Sequence, residues 1–577
     1  MSLFDRNLKN LTRAFIAIYA LGLFVPVMNV DAAQYAELSR ELLHSADWLQ
    51  LHIRGAEYLD KPPLLFWLSA LSFKIFGIHY WSYKLPSYLF FILAAYSIRR
   101  IGTKLYNERT GELSALMFVS SFCGMLMVND VRTDTILVGS FSFVIWQLLE
   151  FQENSKWKYF FGAFTGIGVS MLVKGPMGIV FPALIFFIHH AYKREWRKIF
   201  RWQWIAGIAL VALILLPMSI GLYEQFDLHP ERSVNEHTGV SGLRFYYWTQ
   251  SFGRLTGDSD WGTKYNNGST PFFFTHTFLW SFAPWCLLTI GGVILQLKKM
   301  IAGKFSGNAV TEVITVTGFV MTFLVISLSK YRLPHYVYVT FPFAALLAAR
   351  FYQEAIEGKG FIRMKMLAWL NFIVTICIAA VGFLVLLRFF PMRNYTPAIL
   401  LSALLLFTVI CFFRTKELSS KVFMPMLIML QMFYVIMLYD FYPSLIKYDS
   451  GTTLGKILAQ QPQRNEPVYI FETDYDYTFD FNARLRNTAG TLHWNSGSMD
   501  DLKGVDSCYI LTDEEHYKQL KSSSLKIIHV WSADHFRVQF LTMPFLEPTT
   551  RASRLKRRYL LYVSVPKLIP GSPPAHS

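Results

Sequence analysis

The chain has 577 residues, of which 53% are hydrophobic, 17% aromatic and only 16% charged, a balance that does not describe a soluble protein. Long uncharged runs holding many of its 51 Phe, 30 Tyr and 15 Trp belong in a bilayer, and disordered, collagen-like and disulfide-scaffold readings are excluded with the soluble one. The formal net charge of +16 does not indicate nucleic acid, because Lys and Arg sit between hydrophobic runs rather than on one soluble face.

The first apolar run, Leu11 to Val30, follows Arg6, Lys9 and Arg13 as a signal peptide would. Phe24-Val25-Pro26-Val27 offers no small-residue cleavage site and Asp31 comes at once, so an uncleaved anchor is expected. Twelve further apolar segments begin near Tyr83, Leu113, Thr135, Tyr159, Pro176, Trp204, Phe272, Val310, His335, Met366, Pro397 and Val422. With the first they make about thirteen spans of roughly 16–25 residues, long enough for the hydrocarbon core. Pro63 to Gly77 is apolar too, and is placed along the interface, since a span there would invert every later loop.

Loop charge supports that choice. With the N-terminus inside, the inner loops carry 21 Lys and Arg residues and the short outer loops six. Loops 31–82 and 224–271 then face outward, as does everything after Asp440. Residues 441–577 regain polar character, and Val468-Tyr469-Ile470-Phe471 and Lys526-Ile527-Ile528-His529-Val530 read as strands of a small extracytoplasmic α/β domain. From about 551 the run Arg551 to Arg558 and a Pro/Ser-rich end predict a loose basic tail. Four of the five cysteines lie in apolar runs and only Cys508 is in a polar one, with no metal spacing.

The informative residues are ionisable ones at outer helix ends. Asp31 precedes an amphipathic stretch, Gln34 to Leu43, and is well placed to cap it. In Tyr58-Leu59-Asp60-Lys61-Pro62-Pro63 the prolines hold the backbone extended, so that Asp60 and Lys61 are expected to point to opposite sides, one suited to a divalent cation and the other to phosphate. Asp134 opens the fourth helix, Lys174-Gly175-Pro176 joins the fifth and sixth, and Ser329-Lys330-Tyr331-Arg332-Leu333-Pro334-His335-Tyr336 opens the tenth. Five such clusters on one face, with Arg254 in the loop 224–271, indicate a site for an anionic ligand. No Walker loop, G-x-G-x-x-G after a strand, H-E-x-x-H or G-x-S-x-G is present, and His189-His190 reads as an interfacial pair at the inner end of the sixth helix.

In Asp31…Tyr35, Tyr58 to Leu64, Lys84-Leu85-Pro86-Ser87, Asp134, Lys174-Gly175-Pro176 and Lys330 to Tyr336, the sequence resembles the bacterial aminoarabinose transferases that modify lipid A. More broadly it resembles the protein O-mannosyltransferase branch of the GT-C membrane glycosyltransferases, over residues 1 to about 440. The resemblance implies a polytopic helical fold of the GT-C type. It also implies transfer of a sugar from a polyprenyl-phosphate donor to lipid A, another surface glycolipid or a secreted protein, at the periplasmic side of the bacterial inner membrane. It further implies Asp31 at the reaction centre, Lys61 on the lipid phosphate, and Asp60 as a ligand of a divalent metal ion. Asp134 and Tyr336 would line the cavity, with Tyr35 and Tyr58 flanking it; Asp31 or Asp134 would stabilise the positive charge on the sugar ring, and Asp31 would act as general base toward a hydroxyl acceptor. Arg254 or Lys330 would add charge at the phosphate, where negative charge grows as the sugar departs. Two positions depart from the family pattern: Gln34 stands where Arg is usual, and Asp60 where Glu is. The rival reading, a transporter or lipid flippase, calls for broken helices in related halves and charges near the midplane.

Overall fold

The computed structural model describes residues 3–257, 270, 272–307, 312–357, 364–391, 396–414, 418–471, 476–484, 490–492, 502, 505–523 and 525–565. Its first part is a bundle of helices: α1 (Leu3–Tyr19), α2 (Asp31–His44), α3 (Leu64–Phe76), α4 (Tyr80–Leu105), α5 (Glu108–Ser120), α6 (Phe122–Asn129), α7 (Thr133–Asn154), α8 (Trp157–Lys174) and α9 (Met177–Lys193), followed by further helices up to Ile446. Among the described residues Thr133–Asn154, Trp196–Asp227, Phe372–Phe389 and Phe423–Ile446 are each long and apolar enough to cross a bilayer, and two bent pairs raise the number to six. Shorter apolar helices, Met177–Lys193 and Ile314–Leu328 among them, pack between these.

The bent pairs correct two expected straight spans. The run from Leu113 is broken into α5 and α6 at 62°, and the run from Phe272 into helices Phe273–Ser281 and Cys286–Ala302 at 117°. The second break contains Pro284, which has no N–H to continue a helix. The first contains Ser121, extended at φ −62° and ψ 150°. The two breaks meet, because Phe122 N–H donates to Ala283 O at 3.0 Å. Carbonyls freed by the first break are taken up by tyrosines: Tyr19 Oη donates to Val119 O at 2.6 Å and Tyr434 Oη to Ser120 O at 3.0 Å. Irregular backbone at this depth survives only with such internal partners.

Close helix packing depends on small residues. A Cβ added at Gly139 of α7 would come within 2.4 Å of Phe90 O on α4. We therefore expect Gly139→Ala to push α4 and α7 apart and to cost about 1–3 kcal/mol, read as a lowered thermal midpoint of the purified protein.

From Ser450 onward the chain folds over a mixed five-stranded sheet ordered β4–β3–β5–β7–β6: β3 (Val468–Phe471), β4 (Gly490–Leu492), β5 (Ser507–Asp513), β6 (Lys526–His535) and β7 (Lys556–Ser564). A two-stranded hairpin, β1 (His52–Ile53) with β2 (Ala56–Glu57), lies between α2 and α3. β3 is parallel to β4 and β5, whereas β7 runs antiparallel to β5 and β6. Alternation along the strands feeds two cores, Tyr509, Leu511 and Leu560 facing Leu454 and Leu458 on one side, and Cys508, Ile510 and Leu561 facing Leu520 on the other. β3 and β6 fall on the two predicted runs. β7 is a correction: the stretch from about 551, expected as a loose tail, supplies the strand between β5 and β6 from Lys556 to Ser564. Its Arg558 side chain is buried against Asp476 rather than solvated, at 2.8 Å.

Candidate active site

Asp31 is the first residue of α2, and no side chain caps that helix. The carboxylate turns instead to the loop between α6 and α7, where Arg132 Nη1 meets Asp31 Oδ2 and Arg132 Nε lies 2.9 Å from Asp130 Oδ2. The guanidinium thus ties two carboxylates that are 99 residues apart in sequence. Burial opposes its charge, but Asp130 and Asp31 together hold it more firmly protonated than a free arginine.

Two residues on, Asp134 sits buried in the first turn of α7. Lys174 Nζ reaches both its oxygens, at 3.0 and 2.9 Å, and His335 Nε2 lies 3.7 Å away. Lys174 ends α8, and Gly175 at φ +71° reverses the chain before α9. The lysine ammonium also lies 4.7 Å above the Tyr336 ring.

The expectation that Asp60 and Lys61 point apart is not met: Lys61 Nζ reaches Asp60 Oδ2 at 2.8 Å. The prolines fix the main chain, but four methylenes let the lysine curl back to its neighbour. Tyr35 and Tyr58 both pack on Phe66, with centroids at 5.6 and 5.7 Å. Burial first, then the carboxylates of Asp31 and Asp60, raise the Tyr35 phenol well above its ordinary range, so it stays a neutral donor between these acids.

Lys61, Asp134, Lys174, Tyr336, Gln250, Ser251 and Ser329 form the polar part of a cavity of about 90 Å³ whose other walls are apolar, including Leu137, Phe181 and Val339. A smaller cavity of about 20 Å³ lies between Tyr58, Pro62 and Phe245, and shares Lys61 and Gln250 with the first. Of the sequence candidates, Lys61, Asp134 and Tyr336 come together around the larger cavity and Tyr58 and Asp60 line the smaller one, whereas Asp31 and Tyr35 are in the lining of neither. Lys330 is exposed, its stem against Gly257, where a Cβ would come within 2.7 Å of Cδ. Arg254 begins a short turn of helix, but its side chain lies outside the described residues, as does the loop from Asp258 to Gly262.

Two residues given no role from sequence, Arg132 and Gln250, are integral here. Arg132 holds Asp31, as Lys174 holds the buried Asp134, and Gln250 Nε2 donates to Asp60 O between the cavities. The alternation Asp130, Arg132, Asp134 at a helix start was the available signal for the first.

Among the described residues two groups of side chains have ligand atoms close enough to hold a metal ion, His189, His190 and Glu195, and Asp449, Asp476 and His535. Neither fits one well. His190 uses one ring nitrogen on Glu195 at 2.9 Å and the other on Gln152 at 2.6 Å, and Asp476 is engaged by Arg558. Asp60 belongs to neither group.

On α2, Glu41 accepts the Arg54 N–H on both oxygens at 3.0 and 2.9 Å. Burial and the Glu37 carboxylate raise it to about 7 against the help of Arg54 and Arg40, with Asp480 adding to the rise. A carboxyl raised on folding stabilises below its unfolded value near 4.5, and that stability is lost as pH climbs to about 7. We expect the thermal midpoint of the protein to fall between pH 5 and 7 and to flatten above, and the slope to shrink in Glu41→Gln.

With this geometry in hand, known proteins are informative. The family model described as dolichyl-phosphate-mannose-protein mannosyltransferase matches residues 60–220. An undecaprenyl phosphate-alpha-4-amino-4-deoxy-L-arabinose arabinosyl transferase of Pseudomonas savastanoi pv. phaseolicola is 23% identical over 365 residues, 61% of this chain and 62% of that protein. One from Proteus mirabilis is 22% identical over 343 residues, 58% and 57% of the two chains. The crystal structure of ArnT from Cupriavidus metallidurans bound to undecaprenyl phosphate superposes with a TM-score of 0.70 at 16% identity, over 97% of this chain and 98% of that one. The fold is that of ArnT. The resemblance read from the motifs is thereby matched in sequence and in architecture, including the sheet domain after the helices. The chain spans about three-fifths of the length of the curated relatives it matches, and the ArnT fold extends over nearly all of it.

Proposed function

We propose that the chain is a glycosyltransferase that moves a hexosyl or pentosyl group from a polyprenyl-phosphate donor to lipid A, another surface glycolipid or a secreted protein. The observation that carries this reading is the larger cavity at the outer helix ends, which sets Lys61, Lys174, Asp134 and Tyr336 against apolar walls. Such a lining suits a ligand with a phosphate head and a hydrocarbon tail. Lys61 and Gln250 line both cavities, and in this reading the phosphate lies beside them with donor and acceptor approaching from opposite sides.

Departure of the phosphate places negative charge beside Lys61 and positive charge on the sugar ring. In this reading the donor phosphate takes Lys61 from Asp60, a carboxylate 39% exposed and therefore cheaply released to water. Asp31, held by Arg132, faces the ring cation and serves as general base when the acceptor is a hydroxyl; an ionised phosphate acceptor requires none. Asp134 is neutralised by Lys174 and steadies the lysine and tyrosine at the cavity wall. Asp60 offers a hard oxygen donor, and a divalent ion held there would supply further charge at the phosphate. Loss of activity on chelation and its return with Mg²⁺ or Mn²⁺ tests that part separately.

The reading includes about thirteen spans across a bacterial inner membrane, a transferase region over 1–440, and residues 441–577 with the active site on the periplasmic side. Mass spectrometry of lipids and glycoproteins from cells with and without the chain tests the whole. One sugar should disappear from one class of acceptor. An unchanged profile with the protein present would favour the transporter or flippase alternative.

A further inference from the structure

Among the described residues, the C-terminal domain's hydrogen bonds to the first outer loop come from a short helix, Tyr477–Ala483, and the residues at its ends. Asp476 Oδ1 accepts from Asn29 Nδ2, and the Tyr477 hydroxyl accepts from Gln34 Nε2 at 2.9 Å. One turn on, Asp480 Oδ2 accepts from Arg54 Nε at 2.7 Å. Asn482 Oδ1 accepts from the Tyr80 hydroxyl, and Arg484 donates to Ile78 O at 3.3 Å. Every one of these partners lies between residues 29 and 80, the segment that carries Asp31, Asp60 and Lys61.

The helix is itself fixed from behind. Asp476 caps it by accepting Thr478 N–H at 3.1 Å, and its other oxygen takes Arg558 Nη1 from β7 at 2.8 Å. Asp476, Asp480 and Arg558 are 0%, 1% and 5% exposed. A Cβ at Gly451 would fall 2.4 Å from Asp476 Oδ2, so the neighbouring helix Ser450–Ala459 closes on the carboxylate without room to spare. A carboxylate buried this deeply, with each oxygen committed, has a defined position that it passes to whatever it binds.

Asp476 and Tyr477 hold two side-chain amides that flank Asp31 in the chain. Asn29 precedes that residue by two positions and Gln34 follows by three, and they are held by consecutive residues of the other domain, Asp476 and Tyr477. We propose that Asp476 and Tyr477 are positioning residues for sugar transfer, the means by which the C-terminal domain fixes the start of α2 and aims the Asp31 carboxylate against Arg132. The proposal rests on the transferase reading and gives the C-terminal domain a part in it. A carboxylate displaced by a fraction of an ångström loses much of its value in the transition state while substrate binding elsewhere is unaffected.

The test uses the full chain in lipid vesicles with an undecaprenyl-phosphate sugar donor and an acceptor that supports turnover. Asn29→Ala removes the bonds from Asn29 Nδ2 to Asp476 and Thr478, Tyr477→Phe removes the acceptor of Gln34, and both leave Asp476 paired with Arg558. Each is expected to lower kcat about tenfold with the donor KM unchanged and the thermal midpoint within about 2 °C of wild type. In an Asp31→Asn background, whose residual rate is followed by mass spectrometry over long incubations, the same substitutions are expected to have no further effect, because groups acting as a unit are not additive. Wild-type kcat in a folded Asn29→Ala protein overturns the proposal. So does a tenfold loss that persists in full when Asp31 is already Asn. Full activity of Asp31→Asn alone removes the role of Asp31 itself, a failure of the transferase mechanism that is seen before any clamp variant is made.

Discussion

Lys61→Ala is expected to lower sugar transfer from a polyprenyl-phosphate donor by two to three orders of magnitude, about the effect of deleting one preorganised charge-stabilising donor in other enzymes. Lys61 is the cation common to both cavities, and the proposed reading sets it where the leaving phosphate gains charge. Its loss should therefore appear mainly in kcat, with a smaller rise in donor KM from the weakened ground-state contact. Stability should scarcely change, since the pair with Asp60 joins adjacent residues and an exposed carboxylate of this kind contributes about 0–1 kcal/mol. Lys61→Arg should recover part of the rate, as charge is kept while the compact ammonium is replaced by a planar fork. Initial rates in vesicles together with a thermal midpoint decide the matter. A folded Lys61→Ala protein transferring sugar at the wild-type rate would remove the phosphate role.

How much of this was visible beforehand differs from residue to residue. Asp31, Lys61 and Asp134 stood out because an ionisable side chain at a membrane edge is expensive unless it has work or a partner. Their partners were hidden for a simple reason: Arg132 reaches Asp31 across 101 positions and Lys174 reaches Asp134 across 40, and periodicity carries no information about contacts at that range. Asp60 and Lys61 were misread because the extended backbone before a proline fixes where the Cβ atoms start, not where a long side chain ends. In the helices, apolar runs located the segments but not the breaks. Ser121 is an ordinary residue in an apolar run, and its extended backbone depends on tyrosines from α1 and from helix Leu418–Ile436 to satisfy the freed carbonyls. β7 escaped notice because Lys556, Arg557 and Arg558 mask its start, although Tyr559 to Val563 have the β-branched and aromatic character of a strand.

Asp31→Asn is expected to act differently on different acceptors, and the difference reports the mechanism. The amide keeps the size of the carboxylate, and Arg132 retains Asp130 as a charged partner at 2.9 Å, so the loop between α6 and α7 should hold its place. What disappears is a negative charge beside the sugar ring and a site for the acceptor proton. With a hydroxyl acceptor both losses count, and kcat should fall by about 10²–10⁴, the range of general-base catalysis, with the electrostatic loss added to it. With an acceptor phosphate already ionised at pH 7 no proton has to be removed, and only the weaker stabilisation of the ring cation is lost, about tenfold. Rates for the same donor and two acceptors, one attacking through a hydroxyl and one through a phosphate, separate the two contributions. Equal losses on both would mean that Asp31 works only through its charge, and equal retention on both would place the reaction centre away from α2. In the proposed reading Arg132 holds the Asp31 carboxylate by Oδ2 while its Nε keeps Asp130, and the Asp31 oxygen that Arg132 does not hold takes the acceptor proton. Arg132→Lys, which keeps the charge but not the fork that spans both carboxylates, should therefore slow transfer to a hydroxyl acceptor more than transfer to a phosphate.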